Sequence, residues 1–246
     1  HHTPNSFSKL FFKFILLLPQ KKKLNLILIN KSLVNELKLI GINFIILDDG
    51  ADFLNFKFNQ SIKYKKNTCI YIGSFYEGKG IEIIKKLAKM MPDIKFDLYG
   101  DLKTIKSKFN FNCYPNIKFY DYVAYKNIPE ILKNYEVALM PYKNKILARS
   151  KNLEISKYIS PLKMFDYLSA GKIILATNLP AYSHILKNNQ NSFLLSSKNI
   201  FLWKKIIKKI LNNPKKFNKI KINARNTAKK YSWDNRAKVF YRFVET

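Results

Sequence analysis

The chain has 246 residues and a mass of 29.0 kDa; 45 Lys and Arg stand against 16 Asp and Glu, a formal net charge of +29, yet 47% of residues are apolar and 15% aromatic. That apolar content excludes a disordered tail, and a chain of this length buries roughly 70–75% of its unfolded surface in one large core or two smaller ones. Two cysteines, Cys69 and Cys113, exclude a disulfide scaffold and a cysteine zinc cluster, and three histidines (His1, His2, His184) without HExxH spacing give no dedicated metal site.

The apolar run from Leu10 to Pro19 is interrupted by Lys13 and is shorter than the ~20 residues a bilayer requires. No basic segment precedes it and no small-residue cleavage site follows, so the expectation is a buried helix in a cytoplasmic protein. Leu24 to Ile29 predicts a strand, Ser32 to Leu39 a helix with Ser32 as N-cap, and Ile42 to Leu47 a second strand. Asp48-Asp49-Gly50-Ala51-Asp52 is a turn, and the polar stretch from Asn55 to Lys66 marks a domain boundary. Beyond it the pattern alternates: strand Cys69–Ile72, helix Gly80–Met90, strands Lys95–Tyr99 and Ile117–Tyr120, helix Ile128–Asn134, strand Val137–Met140, helix Leu162–Ala170 and strand Ile173–Ala176. Helices near Ile200–Asn212 and Lys215–Tyr231, and one after Trp233, complete the chain. Alternation of this kind builds an α/β, doubly wound parallel sheet, whose ligands bind at the carboxyl ends of the strands.

The positive charge is almost all lysine. Arg149, Arg225, Arg236 and Arg242 are the arginines, against 41 lysines. A specific nucleic-acid reader draws on arginine's bidentate fork, so specific nucleic acid is not expected as a partner. A solvated surface explains most of the charge. Peripheral contact with an anionic membrane, at about 1 kcal/mol per lysine near the lipid, is the other reading.

Two segments carry chemistry. In Ile70-Tyr71-Ile72-Gly73-Ser74-Phe75-Tyr76-Glu77-Gly78-Lys79-Gly80 a strand ends at Gly73 and a helix begins near Gly80. Glycine admits a close backbone approach, a helix start offers free N–H groups, and Lys79 adds charge, which suits a diphosphate; an ordinary strand–helix connection reads the same way. In Ser160-Pro161-Leu162-Lys163-Met164-Phe165-Asp166-Tyr167-Leu168-Ser169-Ala170-Gly171-Lys172, Ser160 suits the N-cap and Pro161 the first helical position. Leu162, Phe165 and Leu168 are placed toward the core, while Lys163 and Asp166 share a face. Asp166 would accept hydrogen bonds from a vicinal diol such as ribose; the alternative is a surface Lys–Asp pair.

In this order the segments resemble the donor-binding, C-terminal half of GT-B glycosyltransferases of the family 4 type, over nearly the whole chain. Phe96-Asp97-Leu98-Tyr99-Gly100-Asp101, Ile117-Lys118-Phe119-Tyr120-Asp121-Tyr122-Val123, Ala138-Leu139-Met140-Pro141-Tyr142 and Ser232-Trp233-Asp234 fall where that family has its successive strands, loops and closing segment. The resemblance implies a retaining transfer of sugar from a nucleotide-diphosphate sugar to a glycan or lipid-linked hydroxyl acceptor, with no cofactor and no essential metal. It implies diphosphate and donor contacts from Gly73, Ser74, Lys79, Ser160, Pro161, Leu162 and Lys163, ribose contact from Asp166, and Tyr122 and Val123 near the base.

His2-Thr3-Pro4-Asn5 resembles the family's His-x-Pro-Asn segment beside the cleft, which makes His2 the catalytic candidate; a frayed end or tag remnant reads equally well. The implied division is a partial N-terminal, acceptor-side domain with hinge at 1–60, a Rossmann-like donor domain at 61–231, and a helix at 232–246 crossing back. Such a chain is an N-terminally truncated enzyme, or a non-catalytic nucleotide-sugar-binding fragment. Two departures stand out: Tyr158 occupies the place of the family's sugar-contacting glutamate, with Glu154 four residues earlier, and Ser74 that of its phosphate-loop arginine.

Overall fold

Short runs of β-branched and aromatic residues between polar turns form eight parallel strands in the computed structural model, which describes residues 25–31, 33–34, 42–58, 64–105, 113–146 and 154–245. Strand β1 (Asn25–Leu28) pairs with β2 (Asn43–Ile46) in a two-stranded sheet. The other six, β3 (Thr68–Ile72), β4 (Lys95–Tyr99), β5 (Ile117–Tyr120), β6 (Val137–Met140), β7 (Ile173–Thr177) and β8 (Phe193–Leu195), lie in the order β5-β4-β3-β6-β7-β8. The doubly wound parallel sheet is as expected. Every residue of β6 and β7 is buried, because helices cover both faces and leave no polar side.

Helices α1 (Ile81–Met90) and α4 (Ile200–Asn212) close one face, where Ile84, Leu87, Trp203 and Ile207 pack on Phe96, Leu98 and Leu175. Helices α2 (Ile128–Leu132), α3 (Leu162–Ser169) and α5 (Asn218–Lys230) close the other, with Phe165, Leu168, Ala224 and Ala228 against Ile70, Ala138 and Ile174. The last helix is α6 (Trp233–Glu245).

The sequence reading needs three adjustments. It contains no strand at 193–195, too short to show a pattern. The late helix from Lys215 is a 3-10 turn, Pro214–Phe217, leading into α5, since Pro214 has no N–H to give. Helix α3 begins at Leu162, with Pro161 rather than Ser160 in the N-cap position. Most of the predicted helix from Ser32 to Leu39, and residues 59–63 of the predicted boundary, lie outside the described residues.

At the amino ends of the central strands sits a closed polar cluster. Lys221 Nζ pairs with Glu136 Oε1 at 2.8 Å, both buried, and Lys172 Nζ donates to the Tyr135 carbonyl at 2.7 Å. The chain passes from β2 toward β3 beside its own later segment: Ala51 N donates to the Tyr231 carbonyl, and Trp233 N to the Ala51 carbonyl, both at 3.1 Å. A Cβ on Gly50 would stand 2.5 Å from the Tyr231 carbonyl oxygen, so this crossing needs glycine. Arg236 donates to the Leu47 and Asp48 carbonyls and ties α6 to the same crossing.

Candidate functional site

The chain leaves β3 in one direction and returns to β6 on its other side, so the sheet's switch point, the place where folds of this kind bind ligands, lies between the carboxyl ends of those strands. Gly73 follows β3 with φ +145°, and its N–H donates to the Tyr99 carbonyl at 2.8 Å. Its missing side chain makes room for a cation: a Cβ there would sit 2.3 Å from Lys163 Nζ. Gly80, at φ +90°, starts α1 against the Pro141 carbonyl, 1.8 Å from where its Cβ would be. Both glycines are therefore fixed by close approach as well as by backbone angle.

Lys163 is the centre of this site. It projects from the first turn of α3 with a half-buried side chain whose Nζ is shut away from solvent, 3.6 Å from the centroid of the Tyr71 ring and 5.6 Å from that of Tyr142. Among the described residues no hydrogen-bond acceptor meets it. Burial, reinforced by the charge of Lys79 and opposed by Asp166, holds its ammonium well below the usual lysine range. Lys79 Nζ lies over the Tyr142 ring at 5.2 Å, and burial brings it down to about 8. Two cations converge on aromatic faces beside Gly73, an arrangement that lacks an anion. The Ser74 carbonyl accepts from the Tyr71 hydroxyl at 2.7 Å, which fixes one of those rings.

Asp166 lies one turn along α3 and is buried, so the reading of an exposed Lys163–Asp166 pair fails. Burial lifts its carboxyl to about 7, against the hydrogen bond from Tyr125 and the charge of Lys163. The Tyr125 hydroxyl donates to Asp166 Oδ1 at 3.2 Å and accepts from the Asp52 backbone N–H at 3.3 Å. It thus joins the carboxylate to the chain crossing at Ala51. Sequence reasoning missed Tyr125; its position three residues beyond Tyr122, in the loop after β5, was the available signal.

Of the other predicted residues, Ser160 and Pro161 lead into α3 beside Met164 and Asp48, facing β1 and β2. Leu162 is half exposed, not in the core, because α3 presents the six residues from Met164 to Ser169 inward. Tyr122 is exposed and Val123 half-buried in the loop after β5. His2 lies outside the described residues. Glu154 accepts from Ser156 Oγ at 3.0 Å, and Ser156 in turn accepts from Ile146 N at 2.8 Å, so this carboxylate braces a turn.

Comparison with known proteins assigns the family and the fold. The family described as "Glycosyl transferases group 1" matches residues 52–227. The chain is 22% identical over 182 residues to the uncharacterized glycosyltransferase MJ1178 of Methanocaldococcus jannaschii, an alignment covering 72% of this chain and 48% of that protein. It is 28% identical over 120 residues to TuaH of Bacillus subtilis (strain 168), named provisionally as a teichuronic acid biosynthesis glycosyltransferase, covering 48% of this chain and 28% of that one. The match thus spans half or less of the length of these relatives. Among solved structures, Anabaena HepE in complex with UDP and glucose superposes with a TM-score of 0.69 at 14% identity, over 89% of this chain and 62% of that one.

Proposed function

Since the chain belongs to the glycosyl transferases group 1 family, with the GT-B donor-side fold, we propose that it binds a nucleotide-diphosphate sugar and transfers the sugar, with retention of configuration, to a hydroxyl of a glycan or lipid-linked acceptor. The observation that carries the reading is the buried, unpartnered Lys163 ammonium beside Gly73 and Lys79.

In this reading the diphosphate lies against Gly73, Ser74 and the two lysines. Ser74 brings no charge where relatives place arginine, and Lys163 supplies it from α3. As the sugar–phosphate bond breaks, negative charge gathers on the leaving diphosphate. Preorganised cations at low dielectric stabilise that charge strongly and without a metal ion. Asp166 accepts the ribose hydroxyls, which replace the Tyr125 hydroxyl as its partner, and Tyr122 and Val123 flank the base. The acceptor enters from the side of β1 and β2, with Ser160 and Pro161 at the junction.

A second reading, donor binding without transfer, is favoured by Tyr158 at the sugar-contacting position and by Glu154 being held at Ser156.

Calorimetric titration with UDP, GDP and dTDP at moderate salt tests the site. One diphosphate should bind saturably and much more weakly in Asp166→Ala; equal, weak and salt-erased binding of all three would overturn the assignment. Release of free nucleoside diphosphate from the donor sugar in the presence of acceptor then separates transfer from binding alone.

A further inference from the structure

From residue 167 to residue 233 the sequence holds thirteen lysines and Arg225 without one Asp or Glu. This stretch includes β7, β8, α4 and α5, and α4 carries four of the lysines, Lys204, Lys205, Lys208 and Lys209. On that helix Phe201, Lys205 and Lys209 recur every four residues, forming one exposed stripe with Leu202 beside it. Phe201 is 76% exposed although Trp203, Ile207 and Ile210 already fill the core beneath. The fold therefore makes no use of the Phe201 ring.

Helix α1 packs alongside α4 and adds Lys86 and Lys89 to the same layer. Two acids on or beside this layer face lysines: Glu82 faces Lys143 at 3.6 Å and Asp93 faces Lys208 at 4.0 Å.

We infer that the outer surface of the α1–α4 layer is a docking face for an anionic lipid membrane. A lysine field around an exposed aromatic–aliphatic pair combines the two attractions a peripheral protein needs, counter-charge for the headgroups and apolar surface to sink among them. Lysine without arginine on α4 fits nucleic acid less well.

The orientation is consistent with this. Helix α4 starts just after the carboxyl end of β8, at the switch-point end of the sheet, and Ser197 Oγ in the joining loop meets Asn144 Oδ1 beyond β6 at 3.4 Å. Docking through Phe201 and Leu202 brings that end of the sheet to the lipid surface. The inference does not rest on sugar transfer, and its test uses no donor.

The test is cosedimentation of this chain with vesicles of phosphatidylcholine alone, and with about one part in three phosphatidylglycerol to supply the negative surface. Binding is expected to the mixed vesicles and not to the neutral ones. Both Phe201→Ser and the pair Lys205→Glu with Lys209→Glu should lower it by about tenfold or more, with unchanged thermal melts because all three side chains are exposed. The matched pair Lys95→Glu with Lys118→Glu, on the two strands at the far side of the sheet from β8, should leave most of it intact. Absence of binding to the mixed vesicles overturns the inference. So does equal loss in the two charge-reversal pairs, or tighter binding to duplex DNA that ignores Phe201→Ser.

Discussion

The two ends of the six-stranded sheet each bury lysine ammonium groups, and they treat them in opposite ways. At the amino ends of the strands, Lys221 meets Glu136 at 2.8 Å and Lys172 meets a carbonyl, so the cluster is complete by itself. At the carboxyl ends, the Lys163 Nζ is likewise shut away from solvent, and among the described residues it has no acceptor. A buried ammonium costs stability unless something pairs with it. The first end is finished as a folding element, whereas the second is finished only by a ligand.

The contrast breaks most sharply by mutation. Lys221→Met strands the Glu136 carboxylate in the interior and should destabilise the protein by about 3–5 kcal/mol in denaturant unfolding, while the folded fraction keeps its diphosphate affinity. Lys163→Met should do the reverse: a melting temperature unchanged or raised, and diphosphate affinity lower by at least about 2 kcal/mol, some thirtyfold, in calorimetry. If both variants lost stability and kept affinity, the two ends would be alike and the contrast would fall.

A pH series sharpens it further. Asp166 must be ionised to accept the ribose hydroxyls, and Lys79 and Lys163 must be protonated to hold phosphate, so affinity should fall on the acid side as Asp166 takes up its proton near about 7 and on the alkaline side as the two lysines lose theirs. Asp166→Asn should abolish the acid limb and leave the alkaline limb in place. The same group acts on folding. Its carboxyl is raised from 3.8 to about 7, so the folded state holds a proton the unfolded chain has lost, and the stability this confers disappears as pH rises through that window. Unfolding free energy should therefore fall more across that range in the parent than in Asp166→Asn.

The smallest effect concerns Tyr125→Phe, which removes the hydroxyl joining Asp166 to Asp52. Loss of one carboxylate hydrogen bond should move the acid limb to higher pH, and affinity should change by about 0.5–1.5 kcal/mol, read from the same titrations.

The sheet was legible because its strands are apolar runs punctuated by turns, and Gly73, Gly78 and Gly80 marked the loop after β3. Strand β8 was not, with three residues and no room for a period. The burial of the Lys163 ammonium was hidden for another reason. A lysine on a first helical turn reads as solvated, and α3, enclosed on nearly all sides between sheet and α5, has no solvent stripe to set its phase; the same error put Leu162 inside. Tyr125 reaches Asp166 across 41 residues and Asp52 across 73, contacts that no local spacing encodes.

The crossing at Ala51 has a mechanical consequence. Two passages of chain run side by side there, joined by hydrogen bonds in both directions, with Arg236 clasping the second to the first. A lone connector would let β1 and β2 swing freely against the larger sheet. A doubled one resists splaying, so the two walls are held in register by a tie that a single passage of chain would not supply.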